Sequence, residues 1–574
     1  MSKKINKYLI ASFNKLKHPI GSELIFTEEY LFNLYSEKER SVYKCFYTNS
    51  LNYAISSQTK ANNVTKKKLK LYRKQFTILF NSYHKTEHSS KYWGYLTDQI
   101  FIMLIQTIIL NINLLQKVKT KNFFPIIHTV NKLVPQTTND LIEYLFTNDF
   151  KKLLSGLILN ELGSKAINIK HKDEKKITFL KRNNYKFGLN FLIKLYIYIC
   201  KPVVIIDGHI GLKNTFHFFF RSFGKILNIP SRVLFDNPTI DRTLDKDFRE
   251  TIKVSENDLI DKIFNKIIGN IFPVNLMENF HSIKKKINNL SNKITKIGTG
   301  NLHYYNDYFN ILTAEVLNKN GKLLIFQHGG LISKTNNLLR EYKDQQYAFK
   351  KYYFDNKKGL GQHFFNTKKF SLDDIKKRNA ILILNTGIRF QGGIFSKYSN
   401  HPYLEPSQDF FSKLEESTKK KILIKLLEQQ NTLELKKIWS QKFGKKINFL
   451  PTSQNAYKKN FYDAKLVILN EISTPFYELI YSGLPFILIH KTINLVELKS
   501  AFRKKVTNLK KINILFNDST EAANFVNSLS RDNNIEKWWK KTCKTKNFLD
   551  LKNYLIVEKK NYLSTIVEDL TKLK

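Results

Sequence analysis

Beyond about residue 160 the chain alternates short apolar runs with longer segments of helical character, and this alternation narrows the possible folds more than any other feature. The runs lie at residues 202–207, 231–235, 323–326, 380–384, 422–426, 447–450, 466–469 and 486–489. Each has the length of a strand, and a strand without polar alternation has to be covered on both faces. Such strands separated by helices build parallel sheets with helices on either side. A polar stretch at about 356–374 divides the runs into two sets. The expected fold class is therefore α/β, with two Rossmann-like lobes at residues 1–355 and 375–574. Residues 60–160 hold few Gly or Pro and predict a helical N-terminal insertion in the first lobe. A first strand is expected at 8–12 and one helix over 259–290.

At 574 residues the chain is too long for a single core. Its 42% hydrophobic and 13% aromatic content excludes a disordered chain. Basic residues outnumber acidic ones 95 to 48, and a net charge of +47 draws polyanions. The lysines are dispersed in short runs, at 66–68, 284–286 and 419–421, with no basic tail or aromatic-basic motif. That pattern argues against nucleic acid as a partner and for peripheral attraction to an anionic membrane. Three widely spaced cysteines exclude a disulfide framework. The apolar stretch at 100–115 is interrupted by Gln106, Asn111 and Asn113 and reads as a buried helix, not a bilayer span. A cytoplasmic protein, with contact at the inner face of the plasma membrane, is expected.

In parallel α/β sheets ligands bind beyond the carboxyl ends of the strands, which directs attention to two loops. Asn306 is placed to cap a helix whose Phe309, Leu312 and Val316 share one face and which Gly321 ends. The strand 323–326 follows and runs into Gln327-His328-Gly329-Gly330. Two glycines let the backbone approach a ligand closely, and a histidine there is suited to take a proton from an attacking hydroxyl. A plain turn with His328 bonded to backbone fits the same pattern. The second loop, Asn470-Glu471-Ile472-Ser473-Thr474-Pro475, follows the strand 466–469. Thr474 is the expected cap, Pro475 the first helical residue, and Gly483 and Pro485 the close of the helix. Unpaired amides and the Ser473 and Thr474 hydroxyls would receive phosphate, with Glu478 one turn on for ribose hydroxyls. An ordinary strand–helix–strand unit remains the alternative.

Arg389, after the turn Asn385-Thr386-Gly387, is a candidate for a diphosphate through its bidentate fork, or else a surface ion-pair residue. Asp207-Gly208-His209 ends the strand 202–207, and Asp207 or His209 either reaches the ligand cleft or lies in a solvated turn. His84 and His88, four apart, are expected on one helix face, where they fit helix packing, pocket shaping or a metal pair. No metal site of the Asp-x-Asp kind is expected.

Three landmarks follow one another. They are Leu79-Phe80-Asn81 with His84, His88, Ser89, Lys91, Tyr92 and Trp93; the segment 321–330; and Ile472-Ser473-Thr474 with Glu478 and Pro485. In this order, over residues 70–490, the chain resembles the Leptospira-type family of transferases encoded in surface-polysaccharide gene clusters. That family is similar to glycosyltransferase-B enzymes, including the transferases for ulosonic acids and glycerol phosphate. Where the family follows Gly-Gly with Tyr-Gly, this chain has Leu331-Ile332, and where the family has Arg-Leu it has Lys425-Leu426.

The resemblance implies a glycosyltransferase that moves a sugar from a nucleotide-activated donor to a growing surface polysaccharide or lipopolysaccharide, with no metal or other cofactor. Its partners would be the nucleotide sugar and a glycan or lipid-linked acceptor. His328 would be the catalytic base on the acceptor side, with Gln327, Gly329 and Gly330 shaping its loop and Asn81, His84, His88 and Trp93 forming the acceptor pocket. Ser473, Thr474, Glu478 and Arg389 would hold the donor across the cleft. A glycerol phosphate type of polyol-phosphate transferase and a sugar epimerase are alternatives on the same fold. A non-enzymatic, basic, nucleic-acid- or membrane-associated scaffold is the alternative from another class.

Overall fold

The structure is a computed structural model that describes residues 7–10, 22–26, 41–47, 50–119, 126–128, 134–145, 148–163, 167–169, 187–208, 212–235, 243–326, 345–348, 357–359, 371–385, 401–426, 432–444, 447–451, 461, 463–490, 500–555 and 562–572. The chain divides into two compact units, one of Met1–His328, Asn337–Tyr347 and Asn561–Lys574, the other of Gly329–Asn336 and Ala348–Lys560.

The first unit opens with three parallel strands, β1 (Lys7–Ile10), β2 (Glu23–Phe26) and β3 (Lys44–Tyr47). Two long helices follow, α1 (Ser50–His84) and α2 (Ser90–Lys119), which pack against each other. The segment Ser90–Asn113 is long and apolar enough to cross a membrane, yet 94% of its most apolar window is buried inside the protein. It is a core helix, ringed by Tyr72, Phe76 and Phe264 around Phe101. A small parallel pair, β4 (Ile126–His128) and β5 (Ile167–Ile169), stands apart from the main sheet.

The main sheet is built from α3 (Phe187–Cys200), β6 (Val203–Ile206), α4 (Leu212–Arg221), β7 (Ile226–Ile229), α5 (Phe280–Ser291), β8 (Lys296–Thr299), α6 (Asp307–Asn318), β9 (Lys322–Phe326) and β10 (Gln345–Ala348). With β11 (Lys357–Gly359) at its edge, its strand order is β11-β10-β9-β8-β6-β7, and the neighbours from β10 to β7 pair in parallel. The chain leaves β6 toward β7 on one side and returns to β8 on the other, so the switch point lies between β6 and β8. Asn306 caps α6 as expected, accepting from Phe309 N at 2.9 Å. Gly321 is required by close approach, because a Cβ there would meet Val316 Cγ1 at 2.4 Å and the Thr295 carbonyl at 2.8 Å.

Two expected elements of this unit differ. Residues 231–235 are not a strand: Ser231–Leu234 forms a helical turn, started by Pro230 and held by Ser231 N donating to Asp207 Oδ1 at 3.0 Å. The strand is β7, just before it. The expected helix over 259–290 is two helices, Leu259–Ile271 and α5, because Pro273 lacks an N–H and holds Phe272 extended.

The second unit's sheet is built from β12 (Ile381–Asn385), β13 (Ile422–Leu426), β14 (Leu466–Leu469), α7 (Thr474–Ser482), β15 (Phe486–Ile489) and β16 (Leu515–Phe516). The sheet runs β13-β12-β14-β15-β16, parallel throughout. β14 and β15 are buried along their whole length, as continuous apolar strands must be. Residues 447–450 make only one parallel bridge, Phe449 to Ile424. The last helix, α8 (Tyr562–Lys572), packs on α4 and β7 of the first unit, burying Leu570, so the chain's end leaves the expected second lobe. The expected link at 356–374 lies largely outside the described residues.

Candidate functional site

The second unit has its switch point between β12 and β14, since the chain goes from β12 outward to β13 and from β14 to β15 and β16 on the other side. The loop after β14 therefore sits where such sheets bind ligands. Asn470 is its first residue and is buried. Its carbonyl oxygen lies 3.1 Å from His490 Nδ1, just beyond β15, and its Nδ2 lies 3.4 Å from Ser407 Oγ. Burial pushes the His490 pKa down to about 4, so the ring is neutral at pH 7 and Nδ1 carries the proton that the carbonyl accepts. Lys425, at the end of β13, is buried and donates to the Pro451 carbonyl at 2.7 Å.

The helix start differs from the expectation by one residue. Ser473 is the cap, with extended backbone (φ −126°, ψ −170°), and Thr474 is the first helical residue. Gly483 closes the helix in the left-handed region (φ 77°), its N–H bonded to the Leu479 carbonyl. The anion-binding equipment also differs. Pro475 has no donor, and Phe476 N–H turns back to the Ser473 carbonyl at 2.9 Å. A row of free amides is thus not what this helix start offers. It offers the dipole of a nine-residue helix and the Ser473 hydroxyl. That hydroxyl makes no cap bond and has no hydrogen-bond partner among the described residues, although the residue is only 8% exposed. A buried polar group left unpaired costs about 1–3 kcal/mol, a cost that a bound acceptor would remove. Thr474 and Glu478 are both half-buried on the same helix.

In the first unit Asp207 ties the strand ends at the switch point. It adopts φ 47°, a left-handed conformation that Asp tolerates. Its N–H donates to the Ile229 carbonyl at 3.0 Å and its own carbonyl accepts from Gly300 N at 3.2 Å. With Oδ1 on Ser231 N, it joins the ends of β6, β7 and β8, which places it in a structural knot and not in a solvated turn. Asp307, in the first turn of α6, was not singled out by the sequence. Burial raises its carboxyl to about 6, while bonds from Thr138 N and Asn275 Nδ2 oppose the shift.

The residues expected to shape an acceptor pocket do meet, but as a packed junction. His84 is the last residue of α1, because Lys85 turns left-handed (φ 51°), so His88 lies in the connecting turn and not on the same helix face. Asn81 Oδ1 accepts from Trp93 Nε1, His88 N and Thr86 Oγ1, and its Nδ2 donates to the His88 carbonyl at 2.8 Å. His84 stacks on Trp93 with ring centroids 5.3 Å apart, and His88 on Tyr92 at 3.8 Å. His88 Nε2 lies 2.8 Å from Lys284 Nζ, which pairs with Glu315 at 2.8 Å, and Tyr92 OH donates to the same carboxylate at 2.6 Å. Because α6 runs back antiparallel to the strands it joins, Glu315 near its end lies toward their amino ends. This junction is therefore at the opposite edge of the first unit's sheet from the carboxyl ends of its strands.

No group of His, Cys, Asp and Glu among the described residues is arranged to hold a metal. Asp245-Lys246-Asp247 does have the Asp-x-Asp spacing that was not expected, but Asp245 caps a short helix by accepting from Phe248 N at 2.9 Å. Gln327, His328, Gly329, Gly330, His209 and Arg389 lie outside the described residues. By sequence, His328 follows β9 by two residues and Arg389 follows β12 by four.

A model of the LIC12162 family transferases matches residues 7–551. No curated protein is similar to the chain in sequence. Among solved structures it is similar to MurG of Acinetobacter baumannii, at 10% identity and a TM-score of 0.34, over 64% of this chain and 99% of that one. The S. aureus MnaA–UDP co-structure gives 10% identity and 0.34, over 64% and 95%. The wall teichoic acid polymerase TagF gives 9% and 0.32, over 67% and 91%. The fold assignment rests on the chain's own two parallel sheets.

Proposed function

The chain belongs to the LIC12162 family of transferases, and on that premise we propose that it transfers a sugar from a nucleotide-activated donor to a hydroxyl on a surface polysaccharide or lipid-linked glycan. The observation that carries the reading is the buried Ser473 hydroxyl, without a partner among the described residues, at the start of α7, beside the switch point of the second sheet. A donor diphosphate supplies the acceptor oxygen that this hydroxyl lacks, and the helix dipole favours its charge. Glu478 accepts from ribose hydroxyls, and Arg389 supplies the counter-charge.

In the reaction, His328 takes the proton of the acceptor hydroxyl. The oxygen then bonds to the anomeric carbon, and the carbon–oxygen bond to the diphosphate breaks. The nucleoside diphosphate leaves with the electron pair.

Calorimetry with uridine and cytidine diphosphates tests the donor site. Ser473→Ala should weaken the preferred nucleotide by about tenfold, one charge-assisted hydrogen bond's worth. Equal affinity of variant and parent overturns the assignment. Release of a nucleoside diphosphate on turnover supports sugar transfer, and if a monophosphate is released the mass of the product decides, since it gains a phosphate only when a polyol phosphate is transferred.

A further inference from the structure

The first unit carries an apolar surface remote from these loops in character. On α3, Phe191, Leu192, Leu195, Tyr198 and Ile199 are between 42% and 67% exposed. At 100° per residue they share a stripe of about 120°, while Ile197 on the other side is fully buried. The helix thus turns its apolar face to solvent. α4 repeats the arrangement: Phe216 and Phe220, one turn apart with stacked rings, are 55% and 68% exposed, and Phe218 opposite them is buried. Phe223, in the turn after α4, is 93% exposed. Tyr196 joins the two helices, donating to the Gly224 carbonyl at 2.8 Å with its ring 5.7 Å from Phe219. Tyr196 thus ties α3 to the end of α4 and the turn that carries Phe223.

Large contiguous apolar patches are rare on monomers and mark a surface that something covers. Charge indicates the occupant. Between residues 187 and 235 there are six Lys or Arg and one acid, Asp207, which is engaged at the strand ends. Lys293 adds a further cation, 4.2 Å from the centre of the Tyr198 ring. The neighbouring α8 brings Glu568, whose carboxylate lies 3.9 Å from Lys572. A second copy of a chain carrying +47 would meet like charge across this face. An anionic bilayer offers both an apolar interior and negative headgroups, and tyrosine suits the boundary between them.

We propose that this face docks the protein on an anionic lipid bilayer, with α3 lying in the interfacial plane and Phe220 and Phe223 inserted. The proposal does not depend on the sugar-transfer reading. Flotation of the full chain with phosphatidylcholine vesicles, with and without phosphatidylglycerol, tests it. The protein should float with the anionic vesicles, less so as salt rises, and stay behind with the neutral ones. Leu192→Ser with Phe223→Ser should lower partitioning at least about tenfold, with the thermal midpoint unchanged because both side chains already face water. Lys201→Glu with Lys225→Glu should lower it too, which keeps the test open if the serine variant fails to fold. Either of two results overturns the proposal. One is that the parent fails to float, or that folded variants float as it does. The other is a parent that is dimeric in solution and becomes monomeric with the serine pair, since the face is then covered by a second copy.

Discussion

His84 provides a test of whether the α1–α2 junction is structural. Its ring is enclosed by Phe80, Trp93 and Phe280, the residue is 3% exposed, and burial, aided by the nearby His281, pushes its pKa down to about 3. In an unfolded chain a histidine titrates near 6.5. The folded value is the lower one, so the unfolded chain takes up the proton first. The stabilisation is complete above about pH 6.5 and is lost as the pH falls toward 3. Between pH 7 and pH 5 the loss is about 2 kcal/mol, one and a half units of titration at 1.36 kcal/mol each.

Other groups in the same unit respond too. Asp307 works in the opposite sense, because its folded pKa of about 6 lies above the unfolded value and acid protonates the folded form first. Such terms cancel when parent and His84→Leu are compared at the same two pH values. The comparison is made by urea titration, followed through hydrogen exchange in peptides from α1 and α2 so that the first unit is read by itself. The variant should lose about 2 kcal/mol less than the parent between pH 7 and pH 5. Equal losses in the two proteins would refute the buried, neutral ring.

Two further substitutions address packing. Alanine in place of a helical glycine ordinarily stabilises by about 0.4–1 kcal/mol, but at Gly269 the new Cβ would meet the Arg249 carbonyl oxygen at 2.2 Å. Arg249 is itself fixed by Glu278 and by the Gly269 and Phe272 carbonyls, so Gly269→Ala should instead cost about 1–3 kcal/mol and lower the thermal midpoint; a raised midpoint would show the sign to be wrong. Asn81→Ala removes the acceptor shared by Trp93 Nε1, His88 N and Thr86 Oγ1 and should cost about 2–4 kcal/mol in denaturant unfolding. Unchanged stability with lost turnover would return Asn81 to an acceptor pocket.

The parts that were legible in the sequence are those whose cause is local. Continuous apolar runs identified β6, β9, β12, β13, β14 and β15, because burial on both faces leaves no room for polar alternation. Pro475 and Gly483 marked the two ends of α7, since one fits only a first turn and the other takes the left-handed close. β7 was missed because Asn228 interrupts its pattern, and the next residues were read as a strand although a bond from Ser231 to Asp207, twenty-four positions earlier, holds them in a helical turn. The break between Leu259–Ile271 and α5 has a local cause as well, in Pro273. Lys85 carries no sequence signal for its left-handed turn, so the separation of His84 from His88 was not legible.

The same division runs through the candidate site and explains why its loop was found while its chemistry was not. A helix start after a buried strand is a property of a dozen consecutive residues. Whether its amides are free depends on backbone geometry: the Phe476 N–H turns back on Ser473, which leaves the hydroxyl as the group in need of a partner. The neighbours that set the local polarity arrive from elsewhere in the chain. His490 reaches the Asn470 carbonyl because β14 and β15 are adjacent in the sheet, with Leu469 opposite Leu488. Ser407 reaches the Asn470 side chain from a helix that precedes β13. Strand adjacency is decided by which apolar surfaces bury one another, and that choice cannot be read from any one segment. Sequence periodicity therefore locates such a site at the end of a strand, whereas the protonation state of His490 and the unmet hydrogen bond of Ser473 become definite only once the sheet order is known.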